Sequence, residues 1–370
     1  MKSVGIITMH LPLSFGSALQ AYALQQKIDE AGYNAEIIHY QYPNELHQQR
    51  KKGLKHFVKT SISFVLNALF GFPNLRKKNN FGRFYSKFYK LSAYYPTFDS
   101  LHKNPPKYDI YCTGSDQVWN PLYTKTDTSF LLSFVDDKAT KFSYAASFAI
   151  GDIPGEYKDF YVKYLSQYQK ISVRESSGIN LVKELTEKDA TLVCDPTILL
   201  TRNEWDIIAD QTRIRITKPY ILVFMLSDSF NPFPEVQHII DTIQERLRIQ
   251  VVYLNGGKRY YFRKDSKVIK TAGPSEFVDL IRHAEYVITS SFHATVFSSI
   301  YSRPFTSIVK RSHRDSRILS YLERVGMRNC ALYYDSVEVP MSKTMATDKI
   351  DSFRDESNDF LKECLLNANN

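Results

Sequence analysis

The sequence predicts an α/β protein with two Rossmann-like domains that face each other across a cleft. Short apolar runs rich in β-branched residues, which indicate buried strands, alternate along the chain with segments of helical spacing. The 370 residues suffice for two domains of ~100–200 residues each. We therefore expect a first domain over residues 1–170, a second over residues 171–345 and a closing C-terminal helix over residues 346–370.

The chain begins with a predicted strand and helix. The strand covers residues 3–8 (SVGIIT), and the helix that follows it (ALQAYALQQKIDEAG) ends at Gly32, a residue typical of the position just after a helix. Gly16 and Ser17 lie in the loop between them, where a backbone can approach a ligand, although a glycine before a helix more often serves turn geometry alone. Together with Gln20, they are candidates for a wall of the cleft that binds a ligand.

Three further predicted strands end in polar residues. They belong to the segments YDIYCTGSDQVWNP, YQKISVRESSG and TLVCDPTILL. The residues at their ends are Ser115, Asp116 and Gln117 in the first, Arg174 and Glu175 in the second, and Asp195 in the third. Such clusters at strand ends can bind an anion or a hydroxyl group. Asp195 directly precedes Pro196, which favours a structural turn residue over a ligand.

Residues 286–305 (YVITSSFHATVFSSIYSRPF) place a histidine at an informative position. Residues 286–288 indicate a buried strand, Ser291 supplies N-cap chemistry, and residues 294–301 have helical spacing. His293 therefore falls in the first turn of a helix that follows a strand, where free N–H groups attract an anion. An imidazole there can exchange a proton with a bound substrate, whereas the structural alternative is a histidine that caps a turn.

The rest of the second domain continues the same alternation. Predicted strands cover residues 219–226 (PYILVFML) and 251–255 (VVYLN), with a helix over residues 235–247. The amphipathic tail over residues 348–366 predicts the closing helix.

The cysteines exclude several classes of protein. Cys112, Cys194, Cys330 and Cys364 are far apart and form no CxxC pair, so we expect neither a metal site nor disulfides. Well-separated cysteines of this kind are typical of a reducing cytoplasm. Because the first predicted strand begins directly after residue 2, we expect no signal peptide. We therefore expect a cytoplasmic protein.

The positive charge is concentrated in one basic amphipathic insert. Residues 48–90 hold eleven Lys and Arg and no acidic residue, whereas the whole chain has a net charge of +9, so the remainder is close to neutral. Apolar residues over 54–72 repeat at helical spacing, which favours a helix at a membrane interface with its lysines toward anionic headgroups. An ordinary amphipathic helix packed on the domain is the alternative. We do not expect nucleic-acid binding, because no recognition motif accompanies the charge.

Five motifs in this order, FGSALQAYALQ, TGSDQVWN, SVRESSG, VCDPTILL and ITSSFHATVFS, resemble the polysaccharide pyruvyl transferase family, in its capsule and exopolysaccharide branch. The resemblance runs over about residues 4–330. It implies a GT-B-like fold, phosphoenolpyruvate as donor and co-substrate, no cofactor and no metal. The acceptor it implies is a sugar, in many cases carried on a lipid at the inner face of the cell membrane, so the enzyme can be peripheral there.

The resemblance also carries over to single residues. His293 falls on the family's histidine and Arg174 on the arginine after the mid-chain strand, so both are expected to be catalytic, with Arg174 as a clamp for the donor anion. Many members have an arginine directly before that histidine, but here Phe292 takes its place. The expected donor-binding set is Arg174, Ser291, His293, Ala294 and Arg317. Asp116 and Glu175 could orient the histidine or accept a sugar proton.

Two other functions stay open at this point. The first is a glycosyltransferase of the same fold that binds a nucleotide sugar at the His293 helix. The second is a non-catalytic, membrane-docked assembly factor for capsule synthesis, although a scaffold has no need for polar residues at four strand ends.

Overall fold

The structure, a computed structural model, describes residues 1–47, 73–226, 232–254, 266–311, 316–341 and 348–367. Its two larger sheets are parallel throughout. Such sheets are buried on both faces, which is why their strands are continuous apolar runs in the sequence.

The first sheet has the order β2-β1-β3-β4. Its strands are β1 (Ser3–Ile7), β2 (Asn34–Ile37), β3 (Ile110–Thr113) and β4 (Thr140–Ser143). Two short paired strands, β5 (Ser172–Val173) and β6 (Thr191–Leu192), lie beside β4 through isolated bridges. Strand pairing thus continues past residue 170, where the sequence analysis sets the boundary, and the division into domains stays a prediction.

Six α-helices in the described part of the chain accompany this sheet. They are α1 (Phe15–Glu30), α2 (Pro73–Phe88), α3 (Phe98–Lys103), α4 (Pro121–Thr124), α5 (Gly155–Leu165) and α6 (Ser176–Thr186). The start of α1 corrects the sequence analysis: Gly16 and Ser17 lie in its first turn and not in a loop, because Ser14 caps the helix and its side chain accepts from the Ser17 N–H. The predicted end is confirmed, since Gly32 has φ +88°.

The second sheet has the order β12-β11-β10-β7-β8-β9. Before and within this half lie α7 (Pro196–Leu199), α8 (Arg202–Ala209), β7 (Tyr220–Phe224), α9 (Gln237–Leu247), β8 (Gln250–Leu254), β9 (Lys267–Ile269), α10 (Pro274–Arg282), β10 (Tyr286–Thr289), α11 (Phe292–Ile300), β11 (Phe305–Val309), α12 (Ser316–Arg324) and β12 (Ala331–Tyr333). The predicted strand–helix unit around His293 is present as β10 and α11.

One continuous core joins the two sheets. Helix α1 packs against α7, α10 and α11, and the indole of Trp205 on α8 contacts Phe297 of α11 at 4.9 Å and Tyr22 of α1 at 6.0 Å between ring centres. The chain ends in α13 (Asp348–Asn367), which packs on α7; there Ser357 Oγ accepts a 2.9 Å hydrogen bond from the Cys194 N–H. The segment that carries Asp195 is therefore held from both sides.

The basic insert is divided between described and undescribed residues. The predicted interfacial helix over 54–72 lies outside the described part of the chain. The basic residues from 73 onward belong instead to α2, whose Phe81 and Phe84 are buried in the core, with the Phe81 ring stacked on Phe15 at 5.5 Å. This part of the insert thus packs into the fold through its apolar side chains, and docking of the insert on a membrane stays a prediction. No helix among the described residues is long and apolar enough to cross a membrane.

Candidate active site

The carboxyl ends of strands from both sheets meet at one cleft, with a cavity volume of about 580 Å³. This is the edge at which open α/β sheets bind ligands. The first half contributes Ser17, Tyr42, Asp116, Gln117, Asn120 and Tyr123, and the second half contributes Ser290, Ser291, His293, Lys310 and Arg317. Six of these residues are predicted at the site from the sequence: Ser17, Asp116, Gln117, Ser291, His293 and Arg317.

His293 is held in the first turn of α11 by local chemistry. Ser291 is the N-cap of α11, its Oγ accepting from the Ala294 N–H at 3.4 Å, so Ala294 supports the turn from a buried position. The imidazole packs directly on Gly16 of α1, where a Cβ atom would lie only 1.9 Å from Nδ1. Position 16 therefore needs glycine for close approach of the ring.

Asp195 faces the imidazole from behind. Its Oδ2 lies 3.6 Å from His293 Nε2, and its Oδ1 accepts hydrogen bonds from the N–H and Oγ1 of Thr197 at 3.0 and 2.7 Å. Burial by itself would raise the pKa of Asp195, but the charges of His293 and Arg174 and these hydrogen bonds hold that pKa well below its usual range. Asp195 therefore stays ionised and can orient a charged imidazole.

Arg174 lies behind the cleft, which corrects the expectation that it clamps the donor. Its side chain is buried, with Nη1 donating to Asp195 Oδ2 at 2.7 Å and Nη2 lying 3.7 Å from Asp116 Oδ1. Burial disfavours the charge, but Asp195 and Asp116 more than compensate and raise the pKa of Arg174. The guanidinium thus lies between two carboxylates, hydrogen-bonded to Asp195 through Nη1, while Nη2 has only the longer contact with Asp116 and no hydrogen-bond partner among the described residues. Because the side chain does not line the cleft, Arg174 is a positioning residue.

The Phe292 ring explains the departure from the family pattern. Its centre lies 4.8 Å from the Arg174 guanidinium carbon, so the ring covers the buried cation. An arginine at this position would place a second positive charge against Arg174.

Asp116 is the carboxylate that faces the cleft from the first half. Its Oδ2 accepts a 2.5 Å hydrogen bond from Ser17 Oγ, and its Oδ1 accepts from the Gln117 N–H at 2.9 Å. The residue has φ +73°, a backbone conformation that aspartate tolerates better than most residues and that is frequent at functional sites. The structure thus places Asp116 and Ser17 across the same cleft as His293.

Three other predicted site residues support the walls from behind and do not line the cleft. Gln20 is fully buried; its Nε2 donates to Thr8 Oγ1 at 2.9 Å, and its Oε1 accepts from the Ser115 N–H at 3.1 Å. Ser115 is also buried, with Oγ donating to the Ala145 carbonyl at 2.9 Å. Glu175 Oε1 accepts from Ser147 Oγ and from the N–H groups of residues 148 and 149. Ser115 and Glu175 were expected at strand ends and Gln20 near the start of the first helix, but at each of these places side chains are also buried inside the fold.

Arg317 and Lys310 are the cations of the second half that line the cleft. Arg317 is half-buried, and its Nε has no hydrogen-bond partner among the described residues. Burial, together with repulsion from Arg174, lowers the pKa of Arg317, so an anion in the cleft would be a favourable partner. Within the described ranges, no group of three or more His, Cys, Asp or Glu is arranged to hold a metal ion.

Comparison with known proteins decides the family. The family model described as polysaccharide pyruvyl transferase matches residues 15–310, well over half of the chain. The chain belongs to the polysaccharide pyruvyl transferase family. The predicted family is confirmed, and with it the protein is an enzyme, a transferase of polysaccharide biosynthesis. No curated protein sequence matches the chain significantly.

Solved structures confirm the fold of this pyruvyl transferase. A UDP-GlcNAc 2-epimerase from Methanocaldococcus jannaschii, in complex with UDP-GlcNAc and UDP, is similar over 99% of each chain with a TM-score of 0.53 and 12% identity. The UDP-GlcNAc 2-epimerase from Neisseria meningitidis bound to UDP-GlcNAc is similar over 99% of this chain and 100% of its own, with a TM-score of 0.52 and 8% identity. At such low identity the likeness shows the fold alone, and that fold is GT-B-like, as predicted.

Sequence reasoning missed several residues of the transferase cleft. Asp195 was noted but interpreted as a turn residue; it does cap α7 and in addition faces His293. Asn120 had a signal, since an Asn–Pro pair is typical of a helix start. Tyr42, Tyr123 and Lys310 lie in segments without a motif, and only the folded chain brings them to the cleft.

Proposed function

We propose that the protein transfers the pyruvyl group of phosphoenolpyruvate to a sugar of a lipid-linked capsular or exopolysaccharide repeat unit, closing a ketal. One observation carries this proposal. His293, backed by Asp195, and the Asp116–Ser17 pair face a single cleft from opposite halves, and the cations Arg317 and Lys310 lie on the His293 side. A proton donor, an anion site and a proton acceptor are thus available around one bound pair of substrates.

The donor fits the wall of the second half. Phosphoenolpyruvate carries a carboxylate and a phosphate, so it needs two cationic contacts. Arg317 and Lys310 supply them, and the free N–H groups at the start of α11 add further donors. Arg317 takes over the clamp that the sequence analysis assigned to Arg174.

The chemistry then follows from where the protons can go. His293, as an imidazolium held by Asp195, donates its proton to the methylene carbon of phosphoenolpyruvate, and the neighbouring carbon becomes electrophilic. A sugar hydroxyl adds to that carbon, and Asp116 accepts the hydroxyl proton. A second hydroxyl of the same sugar then displaces phosphate and closes the ketal, and its proton leaves with the phosphate. No cofactor is needed besides the co-substrate.

The acceptor fits the wall of the first half. Gln117, whose Oε1 accepts a 2.9 Å hydrogen bond from Asn120 Nδ2, can donate its amide N–H groups to sugar hydroxyls. The rings of Tyr42 and Tyr123 offer apolar faces on which a sugar ring can stack. The lipid carrier is supported by the basic charge over residues 48–90, which would hold the enzyme at an anionic membrane surface.

The test is an assay with purified protein, phosphoenolpyruvate and a synthetic lipid-linked repeat unit. Mass spectrometry should show an acceptor that has gained a ketal-bound pyruvyl group, with one phosphate released per transfer. His293→Asn should lower turnover by ~10²–10⁴-fold, as expected for loss of an acid–base group, while the protein remains folded. If nucleotide sugars lengthen the acceptor and phosphoenolpyruvate does not change it, the proposed donor is wrong.

A further inference from the structure

A second cavity, of about 470 Å³, adjoins the cleft and has no role in the chemistry above. It shares Ser14, Leu226, Ser291 and His293 with the cleft, so a ligand in it would reach the reacting groups. Its volume falls in the ~300–1,000 Å³ range of ordinary small-molecule sites.

Two lysines from distant parts of the chain meet at this cavity. Lys77 lies on α2, and Lys270 follows β9. The two segments are held together one turn further along α2, where Asn80 Nδ2 donates a 2.7 Å hydrogen bond to the carbonyl of Thr271, the residue after Lys270. The pairing of the lysines is therefore built into the fold.

The wall beneath Lys77 is a rigid aromatic cluster. The Lys77 ammonium lies 5.3 Å from the centre of the Phe15 ring, and Phe15 stacks on Phe277 at 4.8 Å. Phe224 packs edge-on against Phe15 at 5.7 Å between ring centres. The cavity thus combines two lysines with an apolar floor.

The second cavity and the cleft differ in the charged residues that line them. The cleft contains the Asp116 carboxylate, whereas the second cavity has no carboxylate among its described lining residues. Lysine ammonium groups act as point charges that suit phosphate. The ligand that best fits the second cavity is therefore a polyanion with an apolar group beside it. The donor anion is not needed there, because Arg317 and Lys310 bind it in the cleft.

We propose that the second cavity binds the diphosphate through which the acceptor sugar is attached to its carrier. This rests on the proposed function, because it makes the acceptor a sugar still bound to that carrier when it is pyruvylated. A lipid diphosphate and a nucleoside diphosphate present the same group, so the experiment includes both.

The test measures binding and needs no turnover, so it is independent of whether pyruvyl transfer is the correct reaction. Calorimetry compares inorganic pyrophosphate and phosphoenolpyruvate on the wild type and three variants, Lys270→Gln, Arg317→Gln and Lys78→Gln. Lys78 is the matched control, because it is an exposed lysine next to Lys77 that does not line the cavity. Lys270→Gln should weaken pyrophosphate binding roughly fivefold to tenfold, the size expected for one partly screened charge-assisted contact.

The pattern across ligands decides the outcome. Lys270→Gln should leave phosphoenolpyruvate binding unchanged, Arg317→Gln should weaken phosphoenolpyruvate instead, and Lys78→Gln should alter neither. Absence of pyrophosphate binding to the wild type, or an equal loss of both ligands in Lys270→Gln, would overturn the proposal. Uridine diphosphate and a short-chain prenyl diphosphate then identify the carrier: either one binding at least as tightly as pyrophosphate supports the proposal, and failure of both overturns it.

Discussion

Replacing Gly16 with alanine should disable the transferase by moving His293 instead of removing it. A Cβ atom at position 16 would lie 1.9 Å from Nδ1 of His293 and 2.3 Å from its Cγ, whereas ordinary contacts begin at 3.4 Å. The ring must therefore move by roughly 1.5 Å, and a misplacement of ~1 Å typically costs about 100-fold in rate. We expect kcat to fall by about that factor, measured as phosphate release, while phosphoenolpyruvate still raises the Tm.

Gly82→Ala provides the matched control. Gly82 is also a helical glycine, on the exposed side of α2, and a Cβ atom there meets nothing within 4 Å. Because alanine stabilises a helix by up to ~1 kcal/mol relative to glycine, this variant should melt no lower than the wild type and keep its kcat. If Gly16→Ala also kept the wild-type kcat, His293 would not act from the position described, and the catalytic assignment would be refuted.

Three further results are expected. Arg174→Gln should lower the free energy of unfolding by ~3–5 kcal/mol in denaturant titrations, because it leaves a buried carboxylate without its partner. Arg317→Gln should instead raise the KM for phosphoenolpyruvate roughly tenfold and leave the stability of the protein unchanged. The reverse pattern would show that Arg174 is the donor clamp. The pKa of Asp195 is held below its unfolded value of 3.8, so the ionised carboxylate stabilises the fold above pH ~4, and this stabilisation is lost as the pH falls further. Asp195→Asn should therefore make the Tm less dependent on pH below ~4. If the Tm of the variant fell with pH as steeply as that of the wild type, Asp195 would not have this role. Replacing Lys51, Lys52, Lys55 and Lys59 with Gln should weaken binding to anionic vesicles at low salt by several kcal/mol, at ~1 kcal/mol per residue, as measured by sedimentation. If the wild type does not bind such vesicles, the membrane proposal is contradicted.

Local patterns sufficed to predict the elements that carry the chemistry. The N-cap of α11, the glycine at the end of α1 and the strand before His293 depend on interactions within a few residues, and all three are present in the structure. The strand ends were also predicted correctly as places where polar residues collect. What the pattern cannot show is which polar residue at a strand end points into the cleft. Glu175 points away from the cleft, because buried N–H groups and a hydroxyl near its strand end need an acceptor. Gln20, on α1, is turned away for the same reason, since its Oε1 accepts from the buried Ser115 N–H.

Long-range pairing accounts for the residues that the sequence placed wrongly. An arginine near the end of a mid-chain strand is equally compatible with binding a donor and with an internal ion pair. The choice depends on Asp195 and Asp116, which are 21 and 58 positions away in the sequence and meet Arg174 only in the folded chain. Lys310 and Tyr42 likewise belong to no recognisable motif, and they come together at the cleft only in the folded chain.

The distances around Arg174 give the two carboxylates different tasks. Asp195 accepts a 2.7 Å bond from Arg174 and two bonds from Thr197, so its oxygens are committed and it cannot readily accept a proton. Asp116 is bound to Arg174 only through a 3.7 Å contact, and it faces the cleft beside the Ser17 hydroxyl. One buried cation thus fixes a permanent anion behind His293 and, on its other side, a carboxylate still open to a sugar hydroxyl. Because Arg174 holds both at once, loss of its charge should disturb proton donation and proton acceptance together, whereas loss of Arg317 should affect the donor anion alone.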